Sequence, residues 1–161
     1  MRRSGCAVRL LAVMRRRPPT IDLQPWAFAG RPRVLIEHRD PDAALELAAA
    51  IGRAGCTVGI CRGPSEDDSP PTRCPLHGLE PCVAVEGADA VVTALDFDAE
   101  TNREVLRGIR TRYPHVALVA AATVRQSLEL EADLAGCTVV PVDAPPEQVA
   151  TAVRAAIDAR S

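Results

Sequence analysis

The chain contains no lysine, so all nineteen of its basic residues are arginine. This absence excludes Schiff-base catalysis, a lysine general base and a phosphate-binding loop completed by lysine. Aromatic residues are also scarce, at 2% of the sequence. The hydrophobic core must therefore be built from valine, leucine, isoleucine and alanine, which favours close packing of helices on a sheet.

No apolar run is long enough to span a bilayer. The short apolar stretch of residues 1–13 is interrupted by Arg9 and lacks a small-residue cleavage site, which argues against a signal peptide. The net charge of −2 predicts no general attraction to nucleic acid or to membranes. We therefore expect a cytoplasmic protein, whose six cysteines are more often thiols or metal ligands than disulfides.

Catalytic motifs are missing as well. The sequence has no G-x-G-x-x-G and no G-x-S-x-G, and its three histidines do not combine with serine, cysteine or aspartate into a catalytic set. We therefore expect that the protein is not an enzyme.

The first 30 residues show no hydrophobic periodicity and contain three prolines. We interpret residues 1–30 as a flexible N-terminal arm and residues 31–161 as one domain. Trp26 and Phe28 either anchor this arm on the domain or belong to a loosely ordered tail. Translation starts at either Met1 or Met14.

Strand and helix patterns alternate from Arg33 onward. Short apolar runs of the kind buried in parallel sheets occur at 34–36, 57–61, 89–95, 116–120 and 138–142. Helices are predicted after the N-cap Asp40, after the capping-box sequence Thr101–Glu104, over Ser127–Leu134 and from Pro146 onward. This alternation predicts an α/β fold, a flavodoxin-like doubly wound sheet of five parallel strands.

The segment 62–87 breaks the pattern. It is rich in proline and glycine, carries Cys74 and Cys82, and shows no helical stripe. A doubly wound domain normally places a helix here, so we predict that a Cys/Pro-rich loop replaces the second helix.

The sequence EVLRGIRTRYPHVALV at 104–119 resembles the third helix and fourth strand of response-regulator receiver domains. The apolar run 34–36, the helix start Asp40-Pro41 and the sequence PEQV at 146–149 are similar too. The resemblance covers residues 31–161 apart from the loop. It implies a receiver-like fold.

Receiver domains accept a phosphoryl group on an aspartate, beside Mg²⁺ held by an acidic pair. The resemblance places His38 and Arg39 at the acidic pair and Ala94 at the phosphoacceptor. Receivers also use a hydroxyl residue after the fourth strand, and the resemblance places Ala120 or Ala122 there. They use a lysine after the fifth strand, where this chain has Val142, Asp143 or Ala144. The resemblance therefore implies a degenerate, stand-alone pseudo-receiver that does not accept a phosphoryl group.

The turn after the first strand has two interpretations. His38 and Arg39 either form a surface turn, or Arg39 replaces the missing lysine and binds Asp96 or Asp98. In the second case, Arg39 and Asp96 would lock one conformation of the domain.

Besides the receiver resemblance, the spacing of three cysteines suggests a second possible function. Cys61, Cys74 and Cys82 lie in one segment with His77 between them, and thiolates and imidazole are ligands that Zn²⁺ prefers. We expect the three thiols to lie close together, with His77 as the fourth ligand. An iron–sulfur cluster, a Cys74–Cys82 disulfide and unligated thiols are the alternatives. Cys56 and Cys137 are interpreted as buried small hydrophobes.

Together, these features predict a phosphorylation-independent signalling or regulatory interaction module. The expected partner is another protein or a second copy, bound through helices near 127–134 and 146–159. The last helix carries Arg154, Asp158 and Arg160 beside a Val/Ile stripe, which suits a contact with a polar rim. The alternative is a metal-binding or thiol-redox protein that uses the cysteine loop.

Overall fold

A computed structural model describes residues 30–64, 74–78 and 80–160. Its centre is a sheet of five parallel strands in the order β2-β1-β3-β4-β5, which is the flavodoxin-like order. The strands are β1 (Arg33–Glu37), β2 (Thr57–Cys61), β3 (Ala90–Thr93), β4 (Ala117–Ala122) and β5 (Thr138–Pro141). The predicted α/β fold with a five-stranded parallel sheet is thus confirmed.

Helices cover both faces of the sheet. They are α1 (Pro41–Arg53), α2 (Val83–Glu86), α3 (Glu100–Arg112), α4 (Val124–Glu129), α5 (Glu131–Leu134) and α6 (Pro146–Asp158). Because side chains alternate along a strand, Leu35 and Val91 face one core and Val34 and Val92 face the other. The first core lies under α2 and α3, and the second core lies under α1 and α6.

Helix α1 forms where its capping residues predict. The Asp40 carboxylate accepts hydrogen bonds from the backbone N–H groups of Asp42 and Ala43, and Pro41 occupies the first turn. Gly55 follows the helix with a φ of 86°, which a residue with a side chain rarely adopts. The sequence therefore encodes both ends of this helix.

Two helix predictions require correction. Helix α3 begins at Glu100 and not at a capping box on Thr101, because its N-cap is Ala99, which makes no side-chain cap bond. The helix predicted over Ser127–Leu134 is divided into α4 and α5 at Leu130. A capping box does occur at the start of α4, between Thr123 and Gln126.

The 62–87 segment contains more structure than predicted. Helix α2 forms at its end, and Pro75–Gly78 form a 3₁₀ turn. Ala84 and Val85 of α2 are buried in the first core, but a single turn is too short to show helical periodicity in the sequence. Residues 65–73 and residue 79 of the predicted Cys/Pro-rich loop lie outside the described residues.

The N-terminal arm predicted for residues 1–30, with Trp26 and Phe28, also lies outside the described residues except for Gly30. Within the described ranges, no helix is both long enough and apolar enough to cross a membrane.

Candidate functional site at the carboxyl edge of the sheet

Ala94 lies directly after β3, at the carboxyl edge of the sheet. Its backbone N–H donates a hydrogen bond of 2.9 Å to the carbonyl oxygen of Glu37, so it stands next to the end of β1. A pocket of about 200 Å³ opens beside it, and its lining includes His38, Glu46 and Asp143. The position predicted for a phosphoacceptor therefore presents a methyl group to this pocket.

The turn after β1 is held by its own polar groups. The N–H of His38 donates to the carbonyl of Cys61, and its Nδ1 accepts a hydrogen bond of 3.0 Å from the N–H of Asp40. The guanidinium of Arg39 donates to the carbonyl of Pro64 at 2.7 Å. The structure therefore turns Arg39 toward the chain after β2, and does not bring it together with Asp96 as the lock hypothesis requires.

A different arginine holds the acidic loop after β3. Asp98 accepts a hydrogen bond of 2.6 Å from Arg125 of α4, and Gln126 donates to both Asp96 and Asp98. The hydrogen bonds from Arg125 and Gln126 lower the pKa of Asp98 below its usual range. Sequence reasoning missed Arg125. The capping box that positions it, formed by Thr123 and Gln126, can be recognised in the sequence.

The other two positions expected for receiver chemistry hold no chemical group suited to it. Ala120 pairs with Thr93 in the register of β3 and β4, and both it and Ala122 are buried. Thr123 has a hydroxyl, but that oxygen accepts the N–H of Gln126 as the cap of α4. Beyond β5, Val142 is exposed, and its N–H donates to the carbonyl of Ala122.

A buried carboxyl at the end of β1 is the most unusual polar group at this edge. Glu37 is only 2% exposed, and one of its oxygens, Oε2, has no hydrogen-bond partner among the described residues. Burial raises the pKa of this carboxyl from 4.5 to about 7, while a hydrogen bond with Thr93 lowers it in part. The sequence feature that could have predicted this buried carboxyl is a glutamate placed directly after the apolar run 34–36.

Three cysteines lie on the side of the sheet to which this carboxyl belongs, the face of the first core. Cys61, Cys74 and Cys82 all pack against that core, and Cys61 is the register partner of Glu37. Burial, followed by the charge of Glu37, raises the pKa of Cys61 to about 12. Because the thiolate is the reactive form, this environment disfavours thiol-redox chemistry at Cys61.

The other predicted residues of the cysteine loop lie elsewhere. The Nε2 of His77 lies 3.3 Å from a carboxylate oxygen of Glu104 on α3, and its Nδ1 is buried without a partner among the described residues. Cys56 is buried and Cys137 is half-buried, as expected of small hydrophobes. In the described ranges, no group of three or more His, Cys, Asp or Glu residues is arranged to hold a metal ion, so the metal-binding alternative gains no support.

The exposed apolar side chains concentrate on α4 and the neighbouring edge strand. Val124 and Leu128 of α4 are 80% and 76% exposed, and Val139 and Val142 beside them are also exposed. A groove of about 410 Å³ runs between α4 and β5. We refer to Val124, Leu128, Val139 and Val142 as the α4–β5 face.

Helix α6 does not present the surface predicted for it. Val149 and Val153 of its apolar stripe are buried in the second core, and Ile157 packs against that core. Arg53 of α1 and Glu147 form an ion pair of 3.0 Å between these two neighbouring helices. The stripe therefore covers the sheet and is not available to a partner.

Comparisons with known proteins agree with this architecture. No family model matches the sequence, and no curated protein matches it. A response-regulator receiver domain from Clostridium thermocellum is similar in structure, with a TM-score of 0.60, 16% identity and coverage of 80% of this chain and 96% of that chain. A receiver protein from Sinorhizobium medicae gives a TM-score of 0.56, 16% identity and coverage of 82% and 98%.

A further similar structure comes from Burkholderia thailandensis and is assigned to pilus assembly (CpaE). It gives a TM-score of 0.59 and 15% identity, with coverage of 79% of this chain and 98% of that chain. At such low identities the similarity concerns the fold alone. The described part of this chain therefore has the fold of a response-regulator receiver domain.

Proposed function

We propose that this chain is a signalling or regulatory module of receiver fold that acts through protein contacts, without accepting a phosphoryl group and without enzyme activity. Ala94 is the observation that carries the proposal. It lies at the end of β3 and lines the edge pocket together with His38. Formation of an acyl phosphate requires a carboxylate oxygen at this position, and a methyl side chain has none.

The surroundings of Ala94 also lack the carboxylates that follow β1 in receivers. Mg²⁺ prefers carboxylate and water oxygens, whereas the turn after β1 offers the imidazole of His38 and the guanidinium of Arg39. The carboxylates that line the pocket, Glu46 and Asp143, come from α1 and from the turn after β5. This arrangement supports a module that keeps the receiver architecture without its reaction.

Incubation with acetyl phosphate and Mg²⁺ tests this proposal. We expect the intact mass of the protein to stay unchanged, while a phosphorylatable receiver domain treated in parallel gains one phosphoryl group. Asp96 is the nearest exposed carboxylate in sequence, so an Asp96→Asn variant identifies any adduct formed there. A stoichiometric, hydroxylamine-sensitive adduct on the wild-type chain would contradict the proposal.

We further propose that the contact partner is a second copy of this chain, bound through the α4–β5 face. On α4, the apolar pair Val124 and Leu128 lies beside the oppositely charged pair Arg125 and Glu129. Both pairs are four residues apart, so each pair lies along one side of the helix. Two such helices related by a twofold axis would place valine against leucine and arginine against glutamate, because an isologous contact is self-complementary.

Sedimentation of the purified chain at several concentrations measures this association. We expect a concentration-dependent dimer that Leu128→Arg removes. Leu45→Arg is the matched control, since Leu45 is 61% exposed on α1, away from this face. Loss of the dimer in both variants, or a monomer at every concentration, would contradict the assignment.

A further inference from the structure

Helix α4 is attached to the domain through a polar side chain. The structure describes all of α4, and its one buried residue is Gln126. Val124 and Leu128 of the same helix are largely exposed, while Leu130, which follows the helix, packs against the first core. Burial of apolar side chains within α4 therefore does not fix how this helix is turned.

The polar and apolar sides of α4 are reversed relative to an ordinary surface helix. Each residue advances by about 100° around a helix axis, so Gln126 lies about 160° from both Val124 and Leu128. A surface helix normally turns its apolar side to the core and its polar side to water. Because burial of apolar side chains is favourable, specific bonds must maintain the observed orientation.

The side-chain amide of Gln126 makes such bonds at both of its ends. Its Oε1 accepts a hydrogen bond of 3.1 Å from the N–H of Thr123, which completes the capping box. Its Nε2 donates to Oδ1 of Asp96 at 3.3 Å and to Oδ1 of Asp98 at 3.2 Å. Hydrogen bonds to carboxylates are stronger than those between neutral groups, so this one side chain joins the start of α4 to the acidic loop after β3.

The acidic loop is itself firmly anchored. Oδ1 of Asp96 accepts the N–H of Asp98 at 2.9 Å, and the carbonyl of Asp96 accepts the side-chain amide of the buried Asn102 at 2.6 Å. The guanidinium of Arg103 donates to the carbonyls of Phe97 and Asp98, and the Phe97 ring is fully buried. The two carboxylates that Gln126 contacts are thus fixed in position by α3.

We propose that Gln126 is the positioning residue of the α4–β5 face. By binding Asp96 and Asp98, it fixes the rotation of α4 and keeps Val124 and Leu128 exposed to a partner. The identity of that partner, a second copy of the chain, rests on the proposed function. The orientation of α4 is a property of the single chain and can be measured without any partner.

Arg125 has a smaller part in this attachment. It forms ion pairs with Asp98 at 2.6 Å and with Glu129 at 2.7 Å, but all three side chains are more than half exposed. Water and salt screen exposed ion pairs, so these contacts contribute little to the position of the helix. The bonds of Gln126 are buried, and Arg125→Ala should therefore disturb α4 less than a change at Gln126.

Gln126→Glu separates the two functions of this side chain. A glutamate keeps an acceptor for the N–H of Thr123, and the capping box is as well served by glutamate as by glutamine. It has no donor for Asp96 and Asp98, and it places a third negative charge beside them. The variant should therefore retain the cap of α4 and lose the attachment to the acidic loop.

The exposure of the methyl groups of Val124 and Leu128 reports the orientation of α4. We measure it by NMR, as the relaxation that a soluble gadolinium chelate causes in these methyl groups, at concentrations where the chain is monomeric. In the wild type this relaxation should be strong. In Gln126→Glu it should fall toward that of the buried methyl groups of Val153. The dimer should weaken by at least about 10-fold, because fewer molecules present the exposed pair.

A matched control and a rescue variant complete the experiment. Ser127→Ala removes a hydroxyl that donates to the carbonyl of Thr123 within the helix, and it should change neither measurement. Adding Asp98→Asn to Gln126→Glu places an amide donor opposite the new carboxylate and should restore part of the methyl exposure. Circular dichroism of each variant shows whether it has folded.

Three results would overturn the proposal. They are equal methyl relaxation in Gln126→Glu and the wild type, an equal decrease in Ser127→Ala, and no recovery when Asp98→Asn is added. A wild-type chain that is monomeric at every concentration would instead reject the second copy as partner. The methyl measurement would still decide the role of Gln126, so the two failures can be told apart.

Discussion

The hydroxyl of Tyr113 accepts a hydrogen bond of 2.8 Å from the backbone N–H of Cys82. Tyr113 follows the last residue of α3, and Cys82 is the N-cap of α2, so this bond joins the ends of two helices. Tyr113 is buried, and the N–H it satisfies is one that α2 cannot satisfy itself.

Tyr113→Phe should therefore destabilise the protein, because it removes only the hydroxyl and leaves the Cys82 N–H without a partner. We expect the free energy of unfolding to fall by about 1–3 kcal/mol. Urea denaturation measures the change, and an unchanged m-value shows that the native fold is preserved. An unchanged midpoint would mean that water replaces the tyrosine hydroxyl.

The buried carboxyl of Glu37 predicts how the stability of the protein depends on pH. Its folded-state pKa is raised from 4.5 to about 7, so the folded state binds its proton more tightly than the unfolded state. The stabilisation from this proton is fully present below about pH 4.5 and is lost as the pH rises through about 7. The total is on the order of 3 kcal/mol.

Glu37→Gln should remove this part of the pH dependence, since an amide does not titrate. Chemical denaturation of both proteins between pH 4 and pH 8 measures the difference. We expect the free energy of unfolding of the variant to rise relative to that of the wild type as the pH rises. Parallel pH profiles for the two proteins would show that Glu37 titrates normally in the folded state.

The N-cap of α1 gives a prediction with a conservative control. The Asp40 carboxylate accepts two backbone N–H groups, so Asp40→Ala should lower the free energy of unfolding by about 1 kcal/mol. Asp40→Asn keeps an acceptor and should cost much less. Thermal unfolding monitored by circular dichroism ranks the three proteins, and equal losses in both variants would argue against a capping role.

Two glycines predict opposite effects of alanine. Gly63 has a φ of 70°, and an added Cβ would lie 2.8 Å from Cδ1 of Leu95, so Gly63→Ala should destabilise the protein by about 1 kcal/mol or more. Gly52 lies within α1 with open space around it, so Gly52→Ala should stabilise the protein by about 0.5–1 kcal/mol. Denaturant midpoints compare the two variants, and shifts in the same direction would contradict the prediction for one of these glycines.

Arg125 should control the protonation of Asp98. The hydrogen bond from Arg125 is the main cause of the lowered pKa of that carboxyl, so Arg125→Ala should return it toward its ordinary value. NMR titration of the aspartate side chains measures this shift. Arg154→Ala is the control, because Arg154 pairs with Asp158 on α6 and should leave Asp98 unchanged.

The sheet could be predicted from the sequence because each strand is a short apolar run bounded by glycine, proline or a capping residue. The ends of α1 were equally predictable from the sequence. Asp40 favours the N-cap, Pro41 the first turn, and Gly55 the positive φ that follows a helix. Helix α2 could not be predicted, because four residues contain only one turn.

The polar network after β3 was beyond sequence reasoning for a different reason. Arg125 and Asp98 are 27 residues apart, and only the packing of α4 against the carboxyl edge brings them together. Arg39 is the arginine that the sequence favours as a substitute for the missing lysine, but its guanidinium donates to the carbonyl of Pro64. Charge alone cannot distinguish these two arginines.

The order of the strands keeps the end of β2 and the α4–β5 face apart. Cys61 ends β2 and α4 lies beside β5, at opposite borders of the sheet. Four strand spacings separate these borders, about 19 Å at roughly 4.8 Å each. A second copy bound at the α4–β5 face would therefore leave Arg39, which is exposed beside the end of β2, accessible to another molecule.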